Sequence, residues 1–206
     1  MAVLPFSVPT LFALASLAPW AVRAPALAGQ SSPLALELNA GAAYPLGSFR
    51  SGPQGGAQLE RAPTFGLHIV RWGEGGWGQY LGFSQHRFNC ATEPCPLKGH
   101  VLTVWDAGVA WTLGRHAWLR AGLTTGRAER CRAAGEPQGE EGEAGACALS
   151  SLGVGAEAGA GLALGLGGTI GLGPAVRYGW LDARYPEGER VRMRWVAVEL
   201  ALSLGF

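Results

Sequence analysis

The sequence predicts an all-β fold, an eight-stranded antiparallel transmembrane up-and-down β-barrel, and three observations lead there. Segments in which apolar residues alternate with small or polar ones recur along the chain, the period of two of a strand with unlike faces. The connections between these segments alternate short and long, as in a barrel with tight turns at one end and loops at the other. The apolar rows also lack a cover. The chain ends on one, Val196, Val198, Leu200, Leu202, Leu204 and Phe206, with Ala197, Glu199, Ala201, Ser203 and Gly205 between them. Lipid covers such a face on the wall of a membrane barrel.

Composition agrees with this class. The 206 residues include 33 Gly, 13 Pro and 8 Trp, and only 15% are charged. Gly with many aromatics suits closely turned β structure better than helix. A formal net charge of +1 gives no bulk attraction for nucleic acid, so no nucleic-acid partner is expected. Residues 1–28 read as a secretory signal peptide: an apolar run through Val22, then the small-x-small site Ala26-Leu27-Ala28. No Lys or Arg precedes the apolar run and Arg23 lies behind it, a departure that a misassigned start codon accounts for. Pro5, Pro9 and Pro19 speak against a retained anchor helix, and no Cys follows Ala28 directly, which speaks against a lipoprotein. Residues 29–206 remain as one barrel domain, in which no run approaches the ~20 apolar residues of a spanning helix.

Strand by strand, the alternation assigns two faces. The first segment, Leu34 to Leu46, sets Leu36, Leu38, Ala40, Ala42 and Tyr44 against Glu37, Asn39 and Gly41. Thr64 to Trp72 sets Phe65, Leu67 and Ile69 against Gly66 and His68, and Trp77 to Phe88 sets Leu81 and Phe83 against Gly82, Ser84 and His86. Val101 to Leu113 sets Val101, Trp105, Val109 and Trp111 against Asp106, Gly108 and Thr112. Ala117 to Arg127 sets Leu119, Ala121 and Leu123 against Arg120 and Gly122, and Leu152 to Leu164 sets Leu152, Val154 and Leu162 against Gly153, Glu157 and Gly161. Thr169 to Leu181 sets Ile170, Leu172, Val176 and Tyr178 against Gly171, Gly173 and Arg177, and the last strand runs from Trp195 to Phe206. Short turns are expected at Gly73–Gly76, Gly114–His116 and Gly165–Gly168. Long loops are expected at Ser48–Ala62, Asn89–His100, Ala128–Ser150 and Asp182–Val191. A soluble lipocalin-like barrel would turn the apolar row inward, but the other row is too small and too sparsely charged for a solvated surface.

The stretch Asn39-Ala40-Gly41-Ala42-Ala43-Tyr44-Pro45-Leu46-Gly47-Ser48-Phe49 resembles the first strand and exit of the small outer-membrane β-barrel superfamily, the OmpA/OmpX-like eight-stranded barrels. The final strand is similar to the C-terminal recognition signal of bacterial outer-membrane barrels, which usually ends in Phe. The resemblance implies an integral bacterial outer-membrane protein whose Leu200, Leu202, Leu204 and Phe206 are read by the barrel-assembly machinery. It implies little about activity, because the group includes structural, adhesive and uncharacterised members.

Seven ionisable side chains fall in the inward row: Glu37, His68, Asp106, Arg120, Glu157, Arg177 and Glu199. An eight-stranded lumen is just wide enough for side chains to fill, and charges inside it must pair. A gated polar pathway and a static ion-pair core are the two readings, and the static core that plugs the lumen is the one predicted. Cys90, Cys95, Cys131 and Cys147 all fall in expected loops. Four cysteines allow three pairings; local pairs, Cys90–Cys95 and Cys131–Cys147, need the least rearrangement in an oxidising compartment. Their spacing matches no common zinc finger, and neither a metal nor a cofactor is expected. The Gly/Glu-rich stretch from Glu136 to Ala144 reads as disordered on composition.

A lipid A deacylase on such a barrel needs Ser and His on the lipid-facing wall with a supporting carboxylate. Ser84 and His86 share a face, but parity makes it the inward one, and Glu93 is not placed to orient His86. Trp72, Trp77, Trp111 and Trp118 flank short turns while Tyr44, Tyr178 and Trp180 lie towards the long loops, the arrangement of two interfacial girdles. Trp118 breaks parity with Leu119 and is placed either inward or beyond the strand. Arg61, Arg87, Arg127, Arg184, Arg192 and Arg194 continue outward rows towards the long loops. If the pleat persists, they form a guanidinium belt at head-group height, suited to the phosphates of lipopolysaccharide. The expected protein is a monomeric structural or interaction barrel, with adhesion through its loops as an elaboration. A lipid A-modifying enzyme and a small pore are the alternatives.

Overall fold

The computed structural model describes residues 34–50, 59–89, 97–132, 147–167 and 169–206. Strands β1 (Leu34–Pro45), β2 (Ala62–Trp72), β3 (Trp77–Phe88), β4 (Leu97–Leu113) and β5 (Ala117–Arg132) follow one another as antiparallel neighbours. The sixth stave is made of three pieces, β6 (Cys147–Leu149), β7 (Gly153–Leu162) and β8 (Leu164–Gly167), and is followed by β9 (Ile170–Arg184) and β10 (Arg190–Gly205). β10 pairs with both β9 and β1, which closes an eight-strand, all-antiparallel barrel. Closure gives each of the eight staves a neighbour on both sides, the condition for a sheet surrounded by lipid. The final alternating stretch is the closing strand: Leu36 faces Leu204, Leu38 faces Leu202 and Ala40 faces Leu200 across the seam. Phe206 lies just beyond it, with its backbone N–H donating to the Leu34 carbonyl at 2.9 Å.

Period two decides the two surfaces. Phe65, Leu67, Ile69, Trp105, Leu123, Val154, Val176, Val198 and Leu200 stand outward and exposed, Leu123 and Val154 at 62%. Exposure on that scale, all around a closed wall, marks a face solvated by something apolar. The alternate residues fill the interior in layers. Phe49, Phe88, Leu102, Met193, Trp195 and their neighbours form an apolar layer at the long-loop end. Trp118, Ala163, Ala175 and Ala201, with Trp72 packed against them, close the short-turn end. The largest inward side chains lie over glycine. A Cβ on Gly179 would come within 2.3 Å of the Trp195 ring, and one on Gly161 within 2.4 Å of the Trp118 ring.

The structure moves several expected boundaries. The loop expected at Asp182–Val191 shrinks to the turn between Arg184 and Arg190, where Gly188 has φ +86°. The ladder persists because Arg192 faces Asp182 and Arg190 faces Arg184, and the Arg190 guanidinium donates to both Asp182 oxygens at 2.8 and 2.7 Å. β4 and β5 likewise run into the expected loops, and β6 pairs with the end of β5. The sixth strand is interrupted at Ala163, whose N–H donates to the His116 carbonyl at 2.7 Å; beyond it, β8 pairs with β9 alone. Trp118 points into the lumen and Trp72 packs against both inner clusters near it, so neither serves as an outward anchor. The signal-peptide residues, Cys90, Cys95, Glu93 and the stretch from Glu136 to Ala144 lie outside the described residues.

Candidate functional site

Glu37, His68, Asp106, Arg120, Glu157, Arg177 and Glu199 are all buried in the middle of the lumen, between the two apolar layers. Register explains why they meet: Glu37 faces His68 on β2, Gly82 faces Asp106 across β3 and β4, and Gly159 faces Arg177 across β7 and β9. Arg177 is the hub. Its Nε and Nη2 fork donates to both oxygens of Glu199 at 2.8 and 2.7 Å. Its Nη1 reaches the Glu157 oxygens at 3.3 and 3.4 Å and lies 3.2 Å from His68 Nε2. His68 Nε2 is also 3.3 Å from Asp106 Oδ2. Arg120 forms a separate pair with Glu37, and its guanidinium stacks over the Trp118 ring at 4.3 Å and faces Tyr80 at 5.3 Å. A planar guanidinium suits this role, since it can fork onto a carboxylate and lie flat on an aromatic ring.

Three participants were not picked out from sequence. Thr64 Oγ1 donates to Glu199 at 3.2 Å, Asn39 is hydrogen bonded to His68 Nδ1 at 2.8 Å, and Tyr80 faces His68 and Arg120. All three share the inward parity, which was the available signal. A second cluster sits at the long-loop end, in stretches expected to be loop. Arg130 donates to Glu189 at 3.0 Å and stacks on the Tyr185 ring at 4.4 Å. Tyr185 Oη lies 3.5 Å from His100 Nδ1. Burial pushes the Tyr185 hydroxyl up to about 12, so it stays protonated as a donor.

On the outer surface, Arg61, Arg87, Arg127, Arg184, Arg192 and Arg194 are all exposed, five of them on strands and Arg61 just ahead of β2. Arg192 lies 3.6 Å from Asp182. The other five make no ion pair among the described residues. Beside them a shallow cavity of about 390 Å³ opens on the wall, lined by Leu152, Val154, Trp180, Asp182, Arg184 and Arg190 among others. It joins an apolar floor to a charged upper edge.

No family model and no curated protein matches the chain. Among solved structures, Neisserial surface protein A has a TM-score of 0.60 at 10% identity, covering 85% of this chain and 98% of its own. The outer-membrane protein OprG of Pseudomonas aeruginosa has a TM-score of 0.51 at 12% identity, covering 87% of this chain and 100% of its own. The fold is that of the small eight-stranded outer-membrane barrels. Identity this low carries the architecture and nothing about activity.

Within this barrel, Ser84 and His86 point into the lumen and are fully buried. Among the described residues neither the Ser84 hydroxyl nor either His86 nitrogen has a hydrogen-bond partner, and His86 packs against the Trp195 ring at 5.2 Å between centroids. That geometry supplies no activated nucleophile to the lipid-facing wall. Cys131 and Cys147 occupy directly opposed positions on β5 and β6.

The pairing of Arg120 with Glu37 carries a measurable consequence. Glu37→Leu leaves a buried guanidinium without its carboxylate, and destabilises the barrel by about 3 kcal/mol or more. Arg120→Met does the reverse at similar cost, while the double replacement loses much less than the sum. Urea unfolding in lipid vesicles, with all four proteins compared, reads the coupling. Additive losses would show that the pair does not act as a unit.

Proposed function

We propose that the chain is an integral outer-membrane protein, exported through its signal peptide, that acts as a monomeric structural or interaction barrel and not as a conduit. The burial of the inward side chains supports this reading: an apolar cluster, the ionic cluster and a second apolar cluster lie in series along the lumen. A water path would have to cross all three. The static core is favoured over a gate because Arg177 is shared among Glu199, Glu157 and His68, so moving it breaks several buried contacts together. In planar bilayers the purified barrel gives no stable single-channel conductance; a stable conductance would refute the closed lumen.

Two features support an interaction role at the long-loop end. Directly opposed residues of an antiparallel pair have Cα atoms ~4.5–5.5 Å apart, within the range a disulfide spans. Cys131 and Cys147 hold that relation, which fits a bond tying the neck of the third loop, and Cys90–Cys95 would tie the second. Peptide mapping without reductant then joins Cys131 to Cys147, whereas a Cys90–Cys131 link would overturn the local pairing.

The exposed arginines form the second feature. Their outward parity and, for all but Arg192, the lack of a carboxylate partner among the described residues suit phosphate oxygens, which accept bidentate, charge-assisted bonds from guanidinium. Outer-leaflet lipopolysaccharide presents such phosphates. Replacing Arg184, Arg192 and Arg194 together with Gln is expected to reduce copurified lipopolysaccharide several-fold without altering heat-modifiable gel migration. Equal retention by parent and triple variant, in low and in high salt, would reduce the belt to ordinary surface charge.

A further inference from the structure

The middle of the lumen is not electrically balanced. Between the apolar layers lie four carboxylates, Glu37, Asp106, Glu157 and Glu199, against two guanidiniums, Arg120 and Arg177. The deficit has a location. Arg120 is committed to Glu37, and the short fork of Arg177 to Glu199. Asp106 is buried, and neither of its oxygens receives a hydrogen bond from the described residues. A bare buried carboxylate is strongly disfavoured.

The hydrogen-bond chemistry of His68 sharpens the point. A guanidinium can only donate, so the Nη1 of Arg177 at 3.2 Å makes Nε2 of His68 an acceptor. The ring proton then sits on Nδ1, which requires the Asn39 carboxamide, whose Nδ2 stands 2.8 Å from Nδ1, to turn over and present its oxygen there. Nε2 then directs a lone pair towards the region where Asp106 Oδ2 stands 3.3 Å away. Two acceptors facing each other at that distance in a buried site need a positive centre near both. Glu157 brings a third donor atom, and single donor atoms of His68, Asp106 and Glu157 all lie within 4.8 Å of one another. Gly82 makes room for the His68 ring beside Asp106: a Cβ there would stand 2.0 Å from His68 Cδ2, 2.6 Å from Nε2 and 2.9 Å from Asp106 Oδ1.

We propose that His68, Asp106 and Glu157 form a divalent transition-metal site at the centre of the lumen. One imidazole nitrogen and two carboxylate oxygens suit Zn²⁺ or Mn²⁺, and the imidazole argues against Ca²⁺ and Mg²⁺. His68 Nε2 and Asp106 Oδ2, 3.3 Å apart, already stand at about the spacing of two ligands on a tetrahedral ion with bonds of about 2.1 Å, and the Glu157 carboxylate has to close onto them. Arg177 need not leave. Its contacts to His68 and Glu157 are the long ones, at 3.2 to 3.4 Å, and an ion replaces those while the fork to Glu199 stays in place. Asn39 then plays the outer-shell part common at metal-bound histidines, fixing the tautomer and the ring plane. Two positive charges also make the central layer neutral.

The closed lumen means that the ion is taken up as the barrel forms. The mature chain is therefore refolded into detergent with excess Zn²⁺, washed with chelator, and its retained zinc measured by elemental analysis. The parent is expected to keep a single zinc per barrel, and Asp106→Asn, nearly the same shape without the charge, to keep about tenfold less or lower. Asp182→Asn, a carboxylate outside the ionic layer and paired with Arg190, keeps the parent's amount. Heat-modifiable migration certifies folding in each case, and Glu157→Gln gives the same reading if Asp106→Asn does not fold. A folded parent that retains no zinc, or a folded Asp106→Asn and Glu157→Gln that retain it fully, overturns the site and assigns the excess negative charge to bound protons.

Discussion

A closed barrel of eight staves gives each strand residue only two destinations, the outer wall or a lumen barely wider than the side chains within it. The rest of the molecule follows from that constraint. Inward residues must be small, or large ones must face small ones, which is why the indoles of Trp118 and Trp195 lie over Gly161 and Gly179. Inward charged groups meet one another across the lumen, as Arg177 meets Glu199 and Arg120 meets Glu37. The high glycine content is thus a packing requirement of a narrow cylinder, beyond any need for turns.

The same constraint gives the buried charges a role in specifying register. Buried ion pairs add little net stability, because desolvation offsets much of their attraction. Misplacing them is another matter. A slip of one residue on β9 would carry Arg177 to the outer wall, where charge on the lipid face costs ~2–4 kcal/mol near the midplane, and would leave Glu199 and Glu157 unpaired. The pairs bridge distant strands: Arg120 on β5 meets Glu37 on β1, and Thr64 on β2 meets Glu199 on β10. They therefore test the closed arrangement as a whole, not one hairpin.

Parity was legible in the sequence because it is local. Leu67 and Ile69 outward, His68 inward, follows from three consecutive residues and needs no knowledge of neighbours. The seven lumen charges were found the same way. Their partners were not, because who meets whom depends on register summed across the barrel. Strand ends were also misread, for a physical reason. In β10, Val198 and Val196 face out, but the next residues reverse the sense: Arg194, Arg192 and Arg190 are outward, while Met193 and Val191 are buried. β9 does the same, with Leu181 and Ala183 inside and Asp182 and Arg184 outside. β4 follows it with Leu102 and Val104 buried. Towards the loops the barrel is built like a soluble one, apolar within and polar without, so a rule tuned to lipid took these stretches for loops.

That reversal locates the boundary between the two solvents. On β10 it falls between Val196 and Arg194, on β9 just past Tyr178 and Trp180, and on β5 between Leu123 and Arg127. Successive outward residues on a strand tilted by about 40° climb about 5 Å along the barrel axis. The first arginines therefore stand one or two such steps above the last lipid-facing side chains. A cation there can reach a phosphate without entering the hydrocarbon, and its backbone is held by the ladder, not by a loop. The apolar layer of Phe49, Phe88, Met193 and Trp195 braces that collar from inside. Filling the lumen and stiffening the rim are thus one piece of construction: the inward row that packs the interior holds the strands on which the outward row stands.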